Sequence, residues 1–232
     1  MITFRRNEER GQTQLAWLDS RHTFSFGDYY DPQNMGFSVL RVINEDRVVP
    51  GAGFPTHSHR DMEIITYVLE GSLVHKDSTG TSSIIRVGDV QRMSAGTGIS
   101  HSEYNASQTD PVHFLQIWII PGETGLMPGY EQQVIPFEKK HGRWTLIASK
   151  KGRDDSVTVH QDVDVWAVRF SAGEQVVSHL KPNRRAWVHM ARGSGVINGA
   201  LLRVGDGAAA SEEELLEFKA VDDAEVLLFD LT

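Results

Sequence analysis

The chain has 232 residues, with 23 lysines plus arginines against 31 aspartates plus glutamates and a formal net charge of −8. That balance argues against a nonspecific grip on nucleic-acid phosphates or an anionic membrane, though not against a protein partner. Cysteine is absent, which excludes a disulfide framework, a thiolate metal site and a cysteine nucleophile. No apolar run approaches the ~20 residues that cross a bilayer. The charged first ten residues lack the apolar centre of a signal peptide. A cytoplasmic monomer is expected, long enough for one large domain or two smaller ones.

Residues 12–50 read as short strands and turns. Phe24 and Phe26 alternate with smaller residues, as in a strand. Residues 31–36 are turn material. Residues 39–43 read as a strand, and Asn44-Glu45-Asp46 as the turn that ends it. His22 and the aromatics around it are expected to be core or structural polar residues, outside any site. Residues 64–69 are strongly β-prone and end at the turn Glu70-Gly71. Residues 72–75 and 83–87 read as strands around a loop at 77–80, and residues 112–120 as another. Nearly every element is a short strand bounded by glycine, proline, asparagine or aspartate, the pattern of a β-sandwich or barrel.

The chemistry lies in residues 51–105. It comprises His57-Ser58-His59, Glu63, and His101-Ser102-Glu103. On a strand, residues i and i+2 share a face. His57 and His59 can therefore look inward together, and so can His101 and Glu103. Two such pairs on neighbouring strands would place three imidazoles and one carboxylate around one point. That donor set suits iron, nickel, cobalt, copper or zinc better than magnesium or calcium. Five candidates, His57, His59, Glu63, His101 and Glu103, compete for four places. A single His-x-His is more often surface chemistry than a ligand pair; here the surrounding spacing raises its weight. Gly51, His57-x-His59, Glu63 and Gly71 follow the first cupin motif, with the last gap one residue off. Gly88, Ser94-x-Gly96, His101 and Asn105 follow the second. Ser94 replaces the usual proline there, and two extra residues precede His101.

The runs His57-Ser58-His59-Arg60-Asp61-Met62-Glu63, Met93-Ser94-Ala95-Gly96-Thr97-Gly98-Ile99 and His101-Ser102-Glu103 resemble the pirin family. So do residues 19–26, Tyr29-Tyr30-Asp31-Pro32, and Gln116-Ile117-Trp118-Ile119 followed by Pro121. Within that family the chain is most similar to the bacterial pirin-like quercetin 2,3-dioxygenases. The resemblance implies one divalent metal held by His57, His59, His101 and Glu103, with Glu63 outside the ligand set. Glu63 would then orient a ligand histidine or pair with Arg60. Fe(II) is the metal most implied, with Ni, Co, Cu, Zn and Mn as competitors. The implied substrates are a flavonol-like aromatic and dioxygen. Glu103 would take the flavonol 3-hydroxyl proton, and ring opening would release carbon monoxide. The family also implies an alternative, a metal- or redox-sensing transcription co-regulator acting through protein partners. The acidic charge and the lack of a basic import signal count against it.

The second half repeats the first without its ligands. His179 lies six residues after Gly173, as His57 lies six after Gly51, and Gly193 follows Gly173 by twenty, as Gly71 follows Gly51. Arg203-Val204-Gly205-Asp206 matches Arg86-Val87-Gly88-Asp89 residue for residue. Lys181 stands where His59 stands, and Arg185 where Glu63 stands. These coincidences point to an internal duplication. The expected fold is an all-β bicupin, two cupin-type β-sandwich or barrel modules in tandem. Residues 1–130 would form the metal-binding module and 131–232 a degenerate one without a metal. The glycine- and proline-rich stretch 121–143 is the expected boundary. Glu212-Glu213-Glu214 reads as a solvated loop, and residues 225–231 as a final strand whose partner the sequence does not name.

Overall fold

β-branched and aromatic residues alternate with glycine turns along the whole chain, and the backbone follows them. The computed structural model describes residues 1–232, the side chain of residue 137 excepted. Four sheets result. In the first unit a seven-stranded sheet runs Gly129–Val134, Asp89–Ser94, Glu63–Glu70, Val112–Ile119, Leu40–Val48, Leu18–His22, Gly11–Gln14. Against it stands a four-stranded sheet in the order Gly53–His59, Ile99–Asn105, Ser72–Asp77, Ser82–Arg86. The second unit repeats the central order with Gly207–Ser211, Arg185–Arg192, Ala224–Leu231 and Asp164–Phe170. Its small sheet, Gln175–His179, Leu215–Ala220, Ser194–Ile197, Ala200–Arg203, repeats the other. The final strand, Ala224–Leu231, lies between Asp164–Phe170 and Arg185–Arg192, inside the second unit.

Two strands tie the units together. Ile2–Arg5, the first strand of the chain, pairs with Gly207–Ser211 in the second unit. Gly129–Val134 pairs with Asp89–Ser94 in the first. The expected division after residue 130 therefore falls inside a strand of the first unit, and the first strand lies with the second. Each covers a sheet edge that would otherwise present unpaired N–H and C=O groups.

Strand alternation sorts the side chains. On Val112–Ile119, Val112 and Phe114 face the interior of the first unit, while Leu115, Ile117 and Ile119 face the second. The latter join Leu40, Ile43, Ile65 and Leu69 against Trp187, Ala191, Leu227, Phe229 and Leu231. The two large sheets thus pack face to face in one apolar layer. Polar groups are set into it in pairs. Arg10 Nη1 donates to Glu45 Oε2 at 2.8 Å, and His113 Nε2 to Glu45 Oε1 at 2.9 Å. Tyr67 donates to the buried Glu225, whose other oxygen accepts from Arg169 at 2.8 Å.

Two local expectations fail. Asn44-Glu45-Asp46 is no turn; strand Leu40–Val48 runs straight through it, between Leu18–His22 and Val112–Ile119. Their turn propensity is overridden because each finds a use in the sheet: Glu45 binds Arg10 and His113 on one face, and Asn44 meets His22 on the other. Phe24 and Phe26 lie beyond the end of Leu18–His22, with Phe26 in an isolated bridge to Tyr29. Residues 212–214 form a loop, as expected.

Candidate metal centre

Gly53–His59 runs antiparallel to Ile99–Asn105, with His57 directly opposite His101. The two-residue period places His57 with His59, and His101 with Glu103, on one face. The register shifts between His101 and Glu103, and Glu103 pairs on its other side with His75. Nε2 of His59 and Nε2 of His57 lie 3.0 and 3.1 Å from Nε2 of His101. Glu103 Oε2 lies 4.0 Å from the same nitrogen. His101 and Glu103 are buried, and His57 and His59 half-buried at the mouth.

The hydrogen bonds behind these rings set their tautomers. His57 Nδ1 is 2.8 Å from the Pro55 carbonyl, which can only accept, so Nδ1 carries the proton and Nε2 the lone pair. His75 Nε2 is 3.0 Å from Asp77 Oδ2 and donates to it. His75 Nδ1 is then an acceptor and takes the Nδ1 proton of His101, 3.4 Å away. His101 Nε2 is left bare. Two lone pairs thus face each other at 3.1 Å with no proton between them. Protonation does not relieve this easily. Burial first, then the neighbouring histidines, pushes His101 down to about 2; burial and His57 push His59 to about 4. A cation relieves it, and the donor set of neutral nitrogens and one carboxylate fits a divalent first-row metal.

Glu103 is positioned from the large sheet. Gln116 Nε2 donates to both of its oxygens, at 3.0 and 2.8 Å. Thr66 Oγ1 donates to Gln116 Oε1 at 3.1 Å, which turns the Gln116 amide nitrogen toward Glu103. Burial pushes the Glu103 carboxyl up to about 7, against the lowering effect of Gln116 and Thr66. A cavity of about 230 Å³ opens in front of the cluster. Leu18, Phe26, Phe54, Ile64 and Trp118 supply its apolar walls; Ser20, His22 and Asp46 also line it. Trp118 meets the His59 ring edge-on at 4.9 Å.

Glu63 lies elsewhere. It alternates with Ile64, which lines the cavity, and so points to the opposite face of Glu63–Glu70. There Oε2 accepts from the His160 backbone N–H at 3.0 Å and lies 3.1 Å from His160 Nδ1. It neither orients a histidine of the cluster nor pairs with Arg60, which lies 3.6 Å from Asp61. From that face its carboxylate, between the units, caps the connecting segment at His160. Sequence reasoning missed His75, Asp77, Thr66 and Gln116, and left His22 and Phe26 outside the site. His75 and Asp77 carried the same two-apart signal as His57 and His59.

Among the described residues, the interior of the second unit leaves a space of only about 10 Å³ beside Met190 and Phe218. Val188, Met190, Leu216, Phe218, Val226 and Leu228 fill its interior. His179 is exposed, on an open cleft shared with Lys181 and Arg185.

Two cupin modules in tandem, one polar at its centre and the other packed with hydrocarbon, define a bicupin. The chain matches the family model described as Pirin over residues 3–119, and the one described as Quercetinase C-terminal cupin domain over residues 146–231. It is 48% identical over 231 residues to a quercetin 2,3-dioxygenase of Escherichia coli K12, covering 100% of this chain and 99% of that one. The structure matches that of YhhW from Escherichia coli with a TM-score of 0.96 at 47% identity, over 100% of this chain and 98% of that one. It matches bacterial pirin YhhW in complex with nickel(II) with a TM-score of 0.95 at 47% identity, over 100% and 99%. The chain belongs to the pirin family.

Proposed function

We propose that this chain is a metal-dependent oxidoreductase of the quercetin 2,3-dioxygenase type. The observation that carries it is the bare Nε2 pair of His57 and His101, with His59 and Glu103 beside it, at the end of a cavity with apolar walls. His57, His59, His101 and Glu103 would hold one divalent metal, which we take to be Fe(II). Bound there, it would supply a Lewis-acidic point that makes a substrate hydroxyl more acidic. The relatives named quercetin 2,3-dioxygenase and the nickel complex of YhhW support this reading.

The chain's own residues do the rest. Leu18, Phe26, Phe54 and Trp118 exclude water and grip a planar aromatic ring. Gln116 and Thr66 hold Glu103 in one orientation. Glu103 accepts the proton of the flavonol 3-hydroxyl as general base. The resulting enolate is electron-rich and is oxidised by dioxygen: both oxygen atoms enter the product, the central ring opens, and one carbon leaves as carbon monoxide. Glu103 then returns its proton. Metal-loaded protein incubated with quercetin in air should consume dioxygen and release carbon monoxide in equal amounts. Binding of quercetin with no carbon monoxide formed would sink the assignment. Elemental analysis after growth without added metal tests the choice of Fe(II).

A further inference from the structure

The large sheet of the first unit lines the cavity with rows of polar side chains. His22, Asn44, Gln116 and Thr66 stand opposite one another on four successive strands. That row is largely satisfied within the protein. His22 lies 2.8 Å from both Thr13 Oγ1 and Asn44 Oδ1, and Gln116 is bound to Thr66 and Glu103. Two residues along, Ser20 stands opposite Asp46. This second pair is different. Ser20 is 1% exposed, and its hydroxyl, with no hydrogen bond of regular geometry among the described residues, has only the Asp46 carboxyl beside it to act on. Asp46 is 4% exposed and forms no ion pair among the described residues. Arg10, the cation whose field reaches it, is bound to Glu45, which alternates to the other face of the same strand.

Both residues line the cavity that holds the histidine cluster. Burying a hydroxyl and a carboxyl that have little beyond each other to bond works against folding. The pair gains a further partner once a ligand fills the cavity. A carboxyl can accept an O–H, and the serine hydroxyl beside it can donate to the same oxygen. No cation pairs with Asp46 among the described residues to hold an anionic ligand group, and a carboxyl pairs with a hydroxyl in either protonation state, so a neutral hydroxyl is the chemistry that fits.

We propose that Ser20 and Asp46 form a second polar subsite of the cavity, which binds a phenolic hydroxyl on a substrate ring that does not carry the metal-directed oxygen. The proposal rests on the flavonol reading above and deepens it: the pair selects polyhydroxylated flavonols over bare ones and sets which ring enters first. Neither residue takes part in bond breaking; both position the substrate.

The test is binding without turnover, in metal-loaded protein under anaerobic conditions. Three probes are used: quercetin, the flavonol lacking hydroxyls on the pendant ring, and the flavonol lacking those on the fused ring. Wild-type protein should bind one of the two stripped flavonols about tenfold more weakly than quercetin. Asp46→Ala and Ser20→Ala should each weaken quercetin by a similar factor and bind that stripped flavonol as wild type does, with metal content unchanged. Ser20→Ala removes a single oxygen, so it carries the comparison if Asp46→Ala does not fold. Variants that keep the wild-type discrimination, or that weaken all three ligands alike, would overturn the subsite. Equal wild-type affinity for all three would also overturn it and leave the flavonol reading standing. Failure of wild-type protein to bind any of them would remove the flavonol reading, and the subsite with it.

Discussion

His101 is gripped from behind. Its Nδ1 proton goes to His75, and His75 is fixed by Asp77. Such supports hold a ligand ring in orientation and raise its basicity, and losing one typically lowers metal affinity 10–100-fold. Asp77→Asn should do so here, measured by competition with a chelator, because an asparagine amide no longer forces His75 to donate to it. An unchanged affinity would show that the cluster needs no relay. The two glutamates separate at the same scale. Glu103→Gln should lose most of the metal and the activity. Glu63→Gln should keep the metal, since Glu63 binds His160 on the other face of its strand, and should cost only about 1–2 kcal/mol of stability. Metal retained in the first and lost in the second would reverse the assignment.

Strand Leu40–Val48 shows what an element adds. Its polar centre reads as a turn, yet it joins two faces of the large sheet: Asn44 and Asp46 look into the cavity, and Glu45 looks toward the second unit. Glu45 accepts from Arg10, whose side chain is fully buried, and from His113. Glu45→Ala would strand the guanidinium between the sheets and should destabilise by roughly 3–5 kcal/mol, read from the denaturant midpoint. The same layer sets a pH dependence. Burial alone would raise the Glu45 carboxyl, but His113 and Arg10 hold it well below the carboxylate range. Its stabilisation is present above the unfolded-state value, about 4.3, and is lost as pH falls toward the folded one. His189 lies fully buried with neither ring nitrogen hydrogen-bonded among the described residues, and burial followed by Arg10 pushes it down to about 3. The folded state therefore keeps it neutral while the unfolded chain takes up a proton below about 6.5. Stability falls as pH drops from about 6.5 toward 3, in the same direction as the Glu45 effect. In metal-free protein His59 and His101 add to this slope. His189→Leu should make it shallower in denaturation measured from pH 7 to 4, and an unchanged slope would show that His189 is already protonated in the fold.

The whole molecule packs a module with a polar cavity against one filled with hydrocarbon. The second unit retains the strand order of the first, with its interior occupied by Met190, Phe218, Val226 and their neighbours. Where the first has His59 and Glu63, the second has Lys181 and Arg185, both exposed beside His179. Two cations at that point disfavour a divalent ion. Fully loaded protein should therefore contain one equivalent of metal per chain, and His179→Ala should not change it. Two tight equivalents, one lost in His179→Ala, would make the second unit a metal site. Because the metal binds only the folded chain, removing it should lower the melting temperature. A ligand at a hundred times its Kd stabilises by about 2.7 kcal/mol. No helix among the described residues is long and apolar enough to cross a membrane.

The amino-acid sequence by itself determined the strand-rich architecture, the duplication and the residues of the histidine cluster. All three are local signals: two-residue periodicity, turn glycines, and side chains two apart on strands that must pair. Only the tertiary structure decided what depends on which strand lies beside which. Asn44, Glu45 and Asp46 become strand residues because their partners, His22, Arg10 and His113, arrive from distant parts of the chain. Glu63 is removed from the cluster by one step of strand alternation and by His160 from the connecting segment. Ile2–Arg5 joins the far unit because a sheet edge there needs hydrogen-bond partners. The pairing of Ser20 with Asp46 on one cavity wall follows from the register of Leu18–His22 against Leu40–Val48, which no spacing along the chain reveals.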